Sequence, residues 1–307
     1  MAHFLIRRLL WACPVVLGVL TLVFFLIHFI PGDPIDVLLG ERAAEADRAA
    51  LRTALHLDEP ILTQYGRFLG GVAQGDFGQS LTTHRPVAGM ILARYPATLQ
   101  LAAAALALAL TIALPLGILS ALRPRSAVDT GGLLLALIGI SLPTFWLGPL
   151  LILLFSLKLD WLPVSGRHGL SSLVLPALTL GIGMSAILLR MTRATLLEVI
   201  RKEFVLAARA KGLPEHRVIV KHAFRNALIP LLTVVGLQIG ALLTGSIITE
   251  TIFSWPGLGR LTIQAIQSRD YPLVQGCILA ITLSYIAVNL LIDLLYAAVD
   301  PRVQYES

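Results

Sequence analysis

Charge is what this sequence has least of. Asp, Glu, Lys and Arg together supply 14% of its 307 residues, where soluble globular chains carry about 25%. Apolar residues fill the difference: 56% of the chain is hydrophobic and the mean hydropathy is +0.82, an excess too large for a soluble core of this length. Cysteine is nearly missing. Cys13 and Cys277 stand alone in apolar surroundings, which excludes a disulfide framework and a thiolate metal centre and leaves both as packing residues. Lysine is scarce too, and Lys158, Lys202, Lys211 and Lys221 are followed by Leu, Glu, Gly and His. A phosphate loop ending in Gly-Lys-Ser or Gly-Lys-Thr is therefore lacking, so a self-contained ATPase of that kind is excluded. None of the seven histidines opens a His-Glu-x-x-His pair, which excludes the common membrane metalloprotease signature.

What the chain does have is long uncharged runs. Six stretches lack Asp, Glu, Lys and Arg: 9–32, 95–122, 130–157, 168–189, 226–249 and 271–292. A helix needs roughly 20 apolar residues to cross the hydrocarbon of a bilayer. Only helices and closed barrels hide their backbone polar groups there, and runs of this length do not read as the short alternating strands of a barrel. The fold class is therefore an all-α membrane protein with six transmembrane helices, predicted at about 9–30, 97–122, 131–157, 172–195, 228–250 and 273–297. Arg7 and Arg8 precede the first run, but it is too long for a signal-peptide core and no small-residue cleavage site follows, so it reads as a retained helix.

The cations set the orientation. Arg7 and Arg8 precede the first helix, and Arg123 and Arg125 lie between the second and third. Segment 190–225 carries Arg190, Arg193, Arg201, Lys202, Arg209, Lys211, Arg217, Lys221 and Arg225 against Glu198, Glu203 and Glu215, a net +6 that equals the charge of the whole chain. These regions belong on the cytoplasmic side, with both termini there. The basic balance reports membrane topology; no basic, aromatic-interleaved soluble module for nucleic acid exists.

Two connections are too long to be turns. The external one, 31–95, opens on Pro31-Gly32-Asp33-Pro34, a strong turn signal. Residues 42–55 favour helix by propensity, and 60–72 place Ile61, Tyr65, Phe68, Leu69 and Val72 on one helical face, before a turn through Gly75-Asp76-Phe77-Gly78. This periplasmic helical insertion reads as a cap on the first helix, as a docking surface for a soluble partner, or as both, with Arg48 and Arg67 as candidate docking residues. The internal connection, 198–226, begins with an amphipathic helix over 198–211 that Gly212 and Pro214 stop. By itself it could equally be a basic helix lying on anionic lipid.

The residues of that loop carry a resemblance. Leu206-Ala207-Ala208-Arg209-Ala210-Lys211-Gly212, followed by Ile229-Pro230, resembles the EAA loop of ABC importer permeases. The glutamate position is Leu206, and the proline comes five residues later than the general pattern. Both departures are similar to the dipeptide, oligopeptide, nickel and glutathione branch, as are Ile30-Pro31-Gly32-Asp33-Pro34, Gly75-Asp76-Phe77-Gly78-Gln79-Ser80, Trp255-Pro256-Gly257-Leu258-Gly259 and the run from Asp293 to Asp300-Pro301. The chain resembles the first permease of that branch. The resemblance implies a type I ABC importer permease fold, with an N-terminal part at 1–95 and a permease domain at 96–300. It implies peptide or glutathione as solute, with nickel as the alternative, and a location in the bacterial inner membrane. It implies a second permease, two ATPase subunits and a solute-binding protein, besides membrane lipid. ATP and Mg would sit on the ATPases, with no cofactor or metal bound by this chain and no covalent chemistry of its own. Glu203, Leu206, Ala207, Ala208, Arg209, Lys211 and Gly212 would form the coupling helix that docks on an ATPase, with least room at Ala208 and Gly212.

Polar residues inside the spans mark a wetted path or interhelical glue. Gln238, Gly245, Ser246, Thr249 and Glu250 in the fifth helix, and Ser141 and Thr144 (with Trp146) in the third, are path candidates. Tyr285, Asn289 and Asp293 form a stripe in the sixth that reads as packing. Asp293 is expected to pair with Arg190 or Arg193 at the cytoplasmic end of the fourth helix. An ion-coupled secondary transporter remains the rival class, although the inverted repeat with broken helices that would mark it is not evident.

Overall fold

In a computed structural model of the chain, residues 2–29, 35, 44–54 and 56–299 are described. Among them helix is the regular element, apart from one isolated antiparallel bridge between Gln79 and Pro86. The turn predicted at Pro31–Pro34 lies outside the described residues. The chain forms two compact units, one from residues 1–98 and 256–286 and the other from 99–255 and 287–307.

The first unit contains α1 (Ala2–Phe29), α2 (Glu45–Ala54), α3 (Ile61–Ala73), the start of α4 (Val87–Leu122), α11 (Leu258–Gln267) and the first half of α12 (Tyr271–Val299). Glu45 and Asp47 in the first turn of α2 and Arg52 in its last complement the helix dipole. Phe24 of α1 meets Tyr65 and Phe68 of α3 at ring distances of 5.2 and 5.6 Å, and Thr21 Oγ1 lies 2.6 Å from Tyr65 Oη. The spacing that put Tyr65 and Phe68 on one face thus finds its partner in α1. Helix α11, which the sequence reading did not foresee, buries Leu258, Leu261 and Ala265 against Val87, Leu273 and Val274. Its first N–H, orphaned by helix geometry, donates from Leu258 to Thr98 Oγ1 at 2.7 Å. Helices α4 and α12 approach closely at Gly276, where a Cβ would stand 2.5 Å from Val87 Cγ1.

The second unit holds the rest of α4, then α5 (Ala127–Ser141), α6 (Thr144–Leu151) running on as a π-helical turn at Ile152–Lys158, and α7 (Ser171–Ile200). After them come α8 (Glu203–Ala210), the short α9 (Glu215–Arg217) continuing as a π-helical turn over Val218–Phe224, and α10 (Arg225–Ile252). Small residues set its crossings, as expected where lipid supplies no hydrophobic drive. A Cβ on Gly117 would lie 2.7 Å from Thr192 Cβ, and one on Gly181 2.6 Å from Leu108 Cδ2.

Two predicted elements are corrected. The single helix expected over 131–157 is broken: α5 and the α6 segment diverge by 103°. Leu142 is extended, at φ −89° and ψ 111°, because the ring of Pro143 disfavours helical backbone in the residue before it, and proline has no N–H to continue the ladder. The helix expected over 198–211 is also divided, with α7 ending at Ile200 and α8 starting at Glu203. Among the described residues four helices, at Val87–Leu122, Ser171–Ile200, Glu215–Leu242 and Tyr271–Tyr296, are long and apolar enough to cross a membrane. The bent pair would make a fifth, and Leu10–Phe25 is a shorter apolar stretch.

Candidate functional site: the α8 loop and its footing

Helix α8 is two turns long and two-faced. Val205 and Ala208 point inward at 0% and 6% exposure, in one core with Leu196 and Val199 of α7, Ala121 of α4, Val218 and Ala223, and Ala227 and Leu231 of α10. The outward face presents Glu203, Phe204, Leu206, Ala207, Ala210 and Lys211, with Phe204 41% and Leu206 53% exposed. The loop is closed by Arg209, which donates through Nη2 to Glu215 Oε1 at 2.6 Å and through Nε to Oε2 at 3.2 Å. That hydrogen bond holds the Arg209 guanidinium further above its ordinary range. Across the break before α8, Lys202 Nζ reaches Glu198 Oε1 at 3.2 Å.

The site residues expected in this helix therefore divide. Glu203, Leu206, Ala207, Lys211 and Gly212 are exposed, and Arg209 is half-buried. Ala208 is a correction: it packs into the core of its own chain, because a helix two turns long must spend one face on its footing. Gly212 is open, with nothing within 4 Å of an ideal Cβ. What demands glycine there is φ +75° at the helix end, not shortage of room.

Below this loop lies a buried ion pair that the sequence reading missed. Asp129 is 2% exposed. Its Oδ1 accepts from Arg193 Nε at 2.5 Å, and its Oδ2 accepts from Arg193 Nη2 at 2.7 Å and from the Arg125 N–H at 2.8 Å. Such a two-pronged guanidinium contact is the strong form of ion pair. Ser126 caps the same helix, its Oγ accepting from the Asp129 N–H at 3.2 Å. The Ser-x-x-Asp spacing ahead of an uncharged run was the available signal. The expected pairing of Asp293 is thereby corrected: Arg193 belongs to Asp129, Arg190 is exposed, and among the described residues no ion pair joins Asp293 to either arginine.

The path candidates fare unevenly. Ser246, Thr249 and Glu250 are 1%, 0% and 0% exposed, buried within this chain. Their side of α10 is the one that meets the bundle, which hydropathy alone does not show. Gln238, Asn289 and Asp293 are half-buried, and the side of Gly245 lies outside the described residues. Ser141 is exposed, donating to Leu137 O at 2.8 Å, and Thr144 starts α6 half-buried. Both sit at the broken helix.

In the first unit, a cavity of about 480 Å³ is lined by Phe24, Phe68, Arg67, Asp76, His84 and Tyr271, among others. Arg67 is exposed and bonds Glu59 Oε1 at 2.7 Å through Nη2; Arg48 is half-buried on α2. Among the described residues no three His, Cys, Asp or Glu side chains are grouped to hold a metal ion.

Residues 113–305 match the binding-protein-dependent transport system inner membrane component family, and residues 1–102 match its N-terminal region. The chain belongs to this family. It is 44% identical to the di/tripeptide transport system permease protein DppB of Pseudomonas aeruginosa. It is 41% identical to the dipeptide permease DppB of Escherichia coli K12 and 42% to the glutathione transport system permease protein GsiC of Pectobacterium atrosepticum. Each of these alignments covers 100% of both chains. Among solved structures, an inward-facing MetNI methionine ABC transporter is similar in fold, with TM-score 0.55 and 20% identity, over 69% of this chain and 96% of that one.

Proposed function

We propose that this family member is a pore-forming permease subunit of an ATP-driven importer that moves di- or tripeptides or glutathione-like peptides across the bacterial cytoplasmic membrane. Full-length similarity to three peptide and glutathione permeases supports the solute class. The observation that carries the coupling role is α8, with Val205 and Ala208 anchored in the core and Phe204, Leu206 and Ala207 left outward. In this reading the chain crosses the membrane six times with both termini in the cytoplasm. The bent α5/α6 pair is one crossing and α1 another. A second permease, two ATPases that hold ATP and Mg, and an external solute-binding protein complete the importer.

The chain's part in the cycle is mechanical. Closure of the ATPases on ATP moves the docked α8, and its core contacts carry that displacement into α4, α7 and α10. The paired permeases then alternate between inward-open and outward-open states. With Leu206→Glu or Phe204→Glu in the reconstituted importer, solute-stimulated ATP hydrolysis should fall by about tenfold or more, because a buried unpaired charge costs several kcal/mol at an interface. Membrane insertion should be unchanged. Normal stimulation in both variants would overturn the docking role and return the loop to a lipid surface; uptake driven by an ion gradient without ATP would overturn the function.

The α2–α3 segment, with the cavity beside it, is proposed as part of the surface that receives the binding protein. Cysteines replacing Arg48 and Arg67 should crosslink to that protein. Crosslinks confined to the permease would leave the segment as a cap on α1.

A further inference from the structure

The seam between α5 and α7 is lined on the α5 side by small residues. Gly132, Ala136 and Gly139 follow one face of α5, and all are buried. A Cβ on Gly139 would stand 3.2 Å from Ala186 Cβ, 3.3 Å from Ile182 O and 3.4 Å from Ile182 Cγ2; one on Gly132 would stand 3.2 Å from Ser120 Oγ of α4 and 4.0 Å from Leu189 Cδ1. Small residues let helix backbones approach. Register along a helix pair, however, comes from ridges seated in grooves, and a face of glycine and alanine has low ridges. On the α5 side little resists sliding, so the step between the helices rests on the α7 side chains Ile182 and Leu189 and on whatever polar contact crosses the seam.

The Asp129–Arg193 pair closes one end of this seam. It is the only ion pair joining α5 to α7 among the described residues. Its fork fixes direction as well as distance, because Nε and Nη2 each address a different carboxylate oxygen. The Arg125 N–H holds the carboxylate from its own side of the seam. About one and two turns beyond Arg193, Leu196 and Val199 enter the core that holds Val205 and Ala208 of α8. The pair therefore stands between the footing of α8 and the helix that ends in the 103° bend.

We infer that Asp129 and Arg193 form a register pin that makes α5 follow α7 when α8 is displaced, so that the coupling stroke reaches the broken α5/α6 helix. Both are positioning residues. The inference rests on the transport reading above, and its two measurements separate the outcomes. The full importer in proteoliposomes reports ATP hydrolysed per solute taken up. Spin labels at the exposed positions Leu135 and Ile187 report the α5–α7 register without reference to transport.

Asp129→Asn should leave ATP hydrolysis nearly unchanged and raise the ATP consumed per solute about tenfold, within the usual range of coupling free energies. The label distance, single in the parent, should broaden. Asp129→Arg with Arg193→Asp should recover part of the ratio, and Arg193→Lys should recover little, because an ammonium lacks the fork. An unchanged ratio in Asp129→Asn overturns the pin. So does a loss of uptake and hydrolysis in step with lost complex at an unchanged label distance, which would make the pair a folding element only. ATP-independent uptake by the parent would instead defeat the functional reading while the label distance still tested the pin.

Discussion

Among the described residues each of the two units buries one aspartate near a helix N-terminus, and they satisfy it in opposite ways. Asp129 is met by a guanidinium. Asp270, 0% exposed, is met by neutral donors: Ser80 Oγ at 2.5 Å, Thr82 Oγ1 at 3.0 Å, and the N–H groups of Leu81 at 3.1 Å and of Thr82 and Leu273 at 3.4 Å. The first arrangement concentrates its stabilisation in one partner on another long helix. The second spreads it over a turn, tying residues 80–82 to the start of α12. A concentrated pair transmits displacement between two elements and fails as a whole; a distributed cage tolerates the loss of one donor and serves to hold a loop in shape.

The largest effect should come from breaking the concentrated pair on one side only. Arg193→Ala leaves Asp129 buried without a cation and should cost about 3 kcal/mol, the low end for such pairs, because the arginine side chain keeps 23% exposure. Thermal melting of the purified subunit in detergent reads this. Replacing both partners by apolar residues of similar bulk, Asp129→Leu with Arg193→Met, should restore most of that stability while leaving transport uncoupled. Equal destabilisation by the single and the double change would mean that the carboxylate matters mainly through Arg125 and the helix cap.

A smaller effect is expected in the cage. Ser80→Ala removes one of five donors to Asp270 and should cost about 1.5 kcal/mol, the lower range for hydrogen bonds to a charged group. It should increase proteolysis at the 80–84 turn without changing ATP consumed per solute. If Ser80→Ala uncouples transport as strongly as Asp129→Asn, the contrast between a transmitting pair and a holding cage is broken.

Much of this was legible in composition and period. Long uncharged runs forced helices, because a backbone in hydrocarbon has no other partner for its N–H and C=O groups. Gly212 and Pro214 marked the end of α8, and Tyr65 and Phe68 marked the face that meets α1. Proline 143 was visible too, but whether a proline bends a helix gently or splits it depends on what the neighbouring helices satisfy. Which side of an apolar helix meets its own bundle is not given by hydropathy, only by cues such as a run of small residues. In α5 the buried face is small, Gly132, Ala136 and Gly139, while Leu134, Leu135, Leu137 and Ile138 are exposed; in α10, polarity alone did not tell that Ser246, Thr249 and Glu250 are buried in their own chain.

The sequence alone therefore determined the class of solvent, the helical content, the basic loop and the family, since these rest on run length, charge and local order along the chain. The tertiary structure decided the partners. Arg193 could have served Asp129 or Asp293 by sequence position alone, and Ala208 could have faced an ATPase or its own core. Those choices depend on which helices become neighbours across tens of residues, and short-range hydrogen bonds and close packing act only once the chain has brought them together.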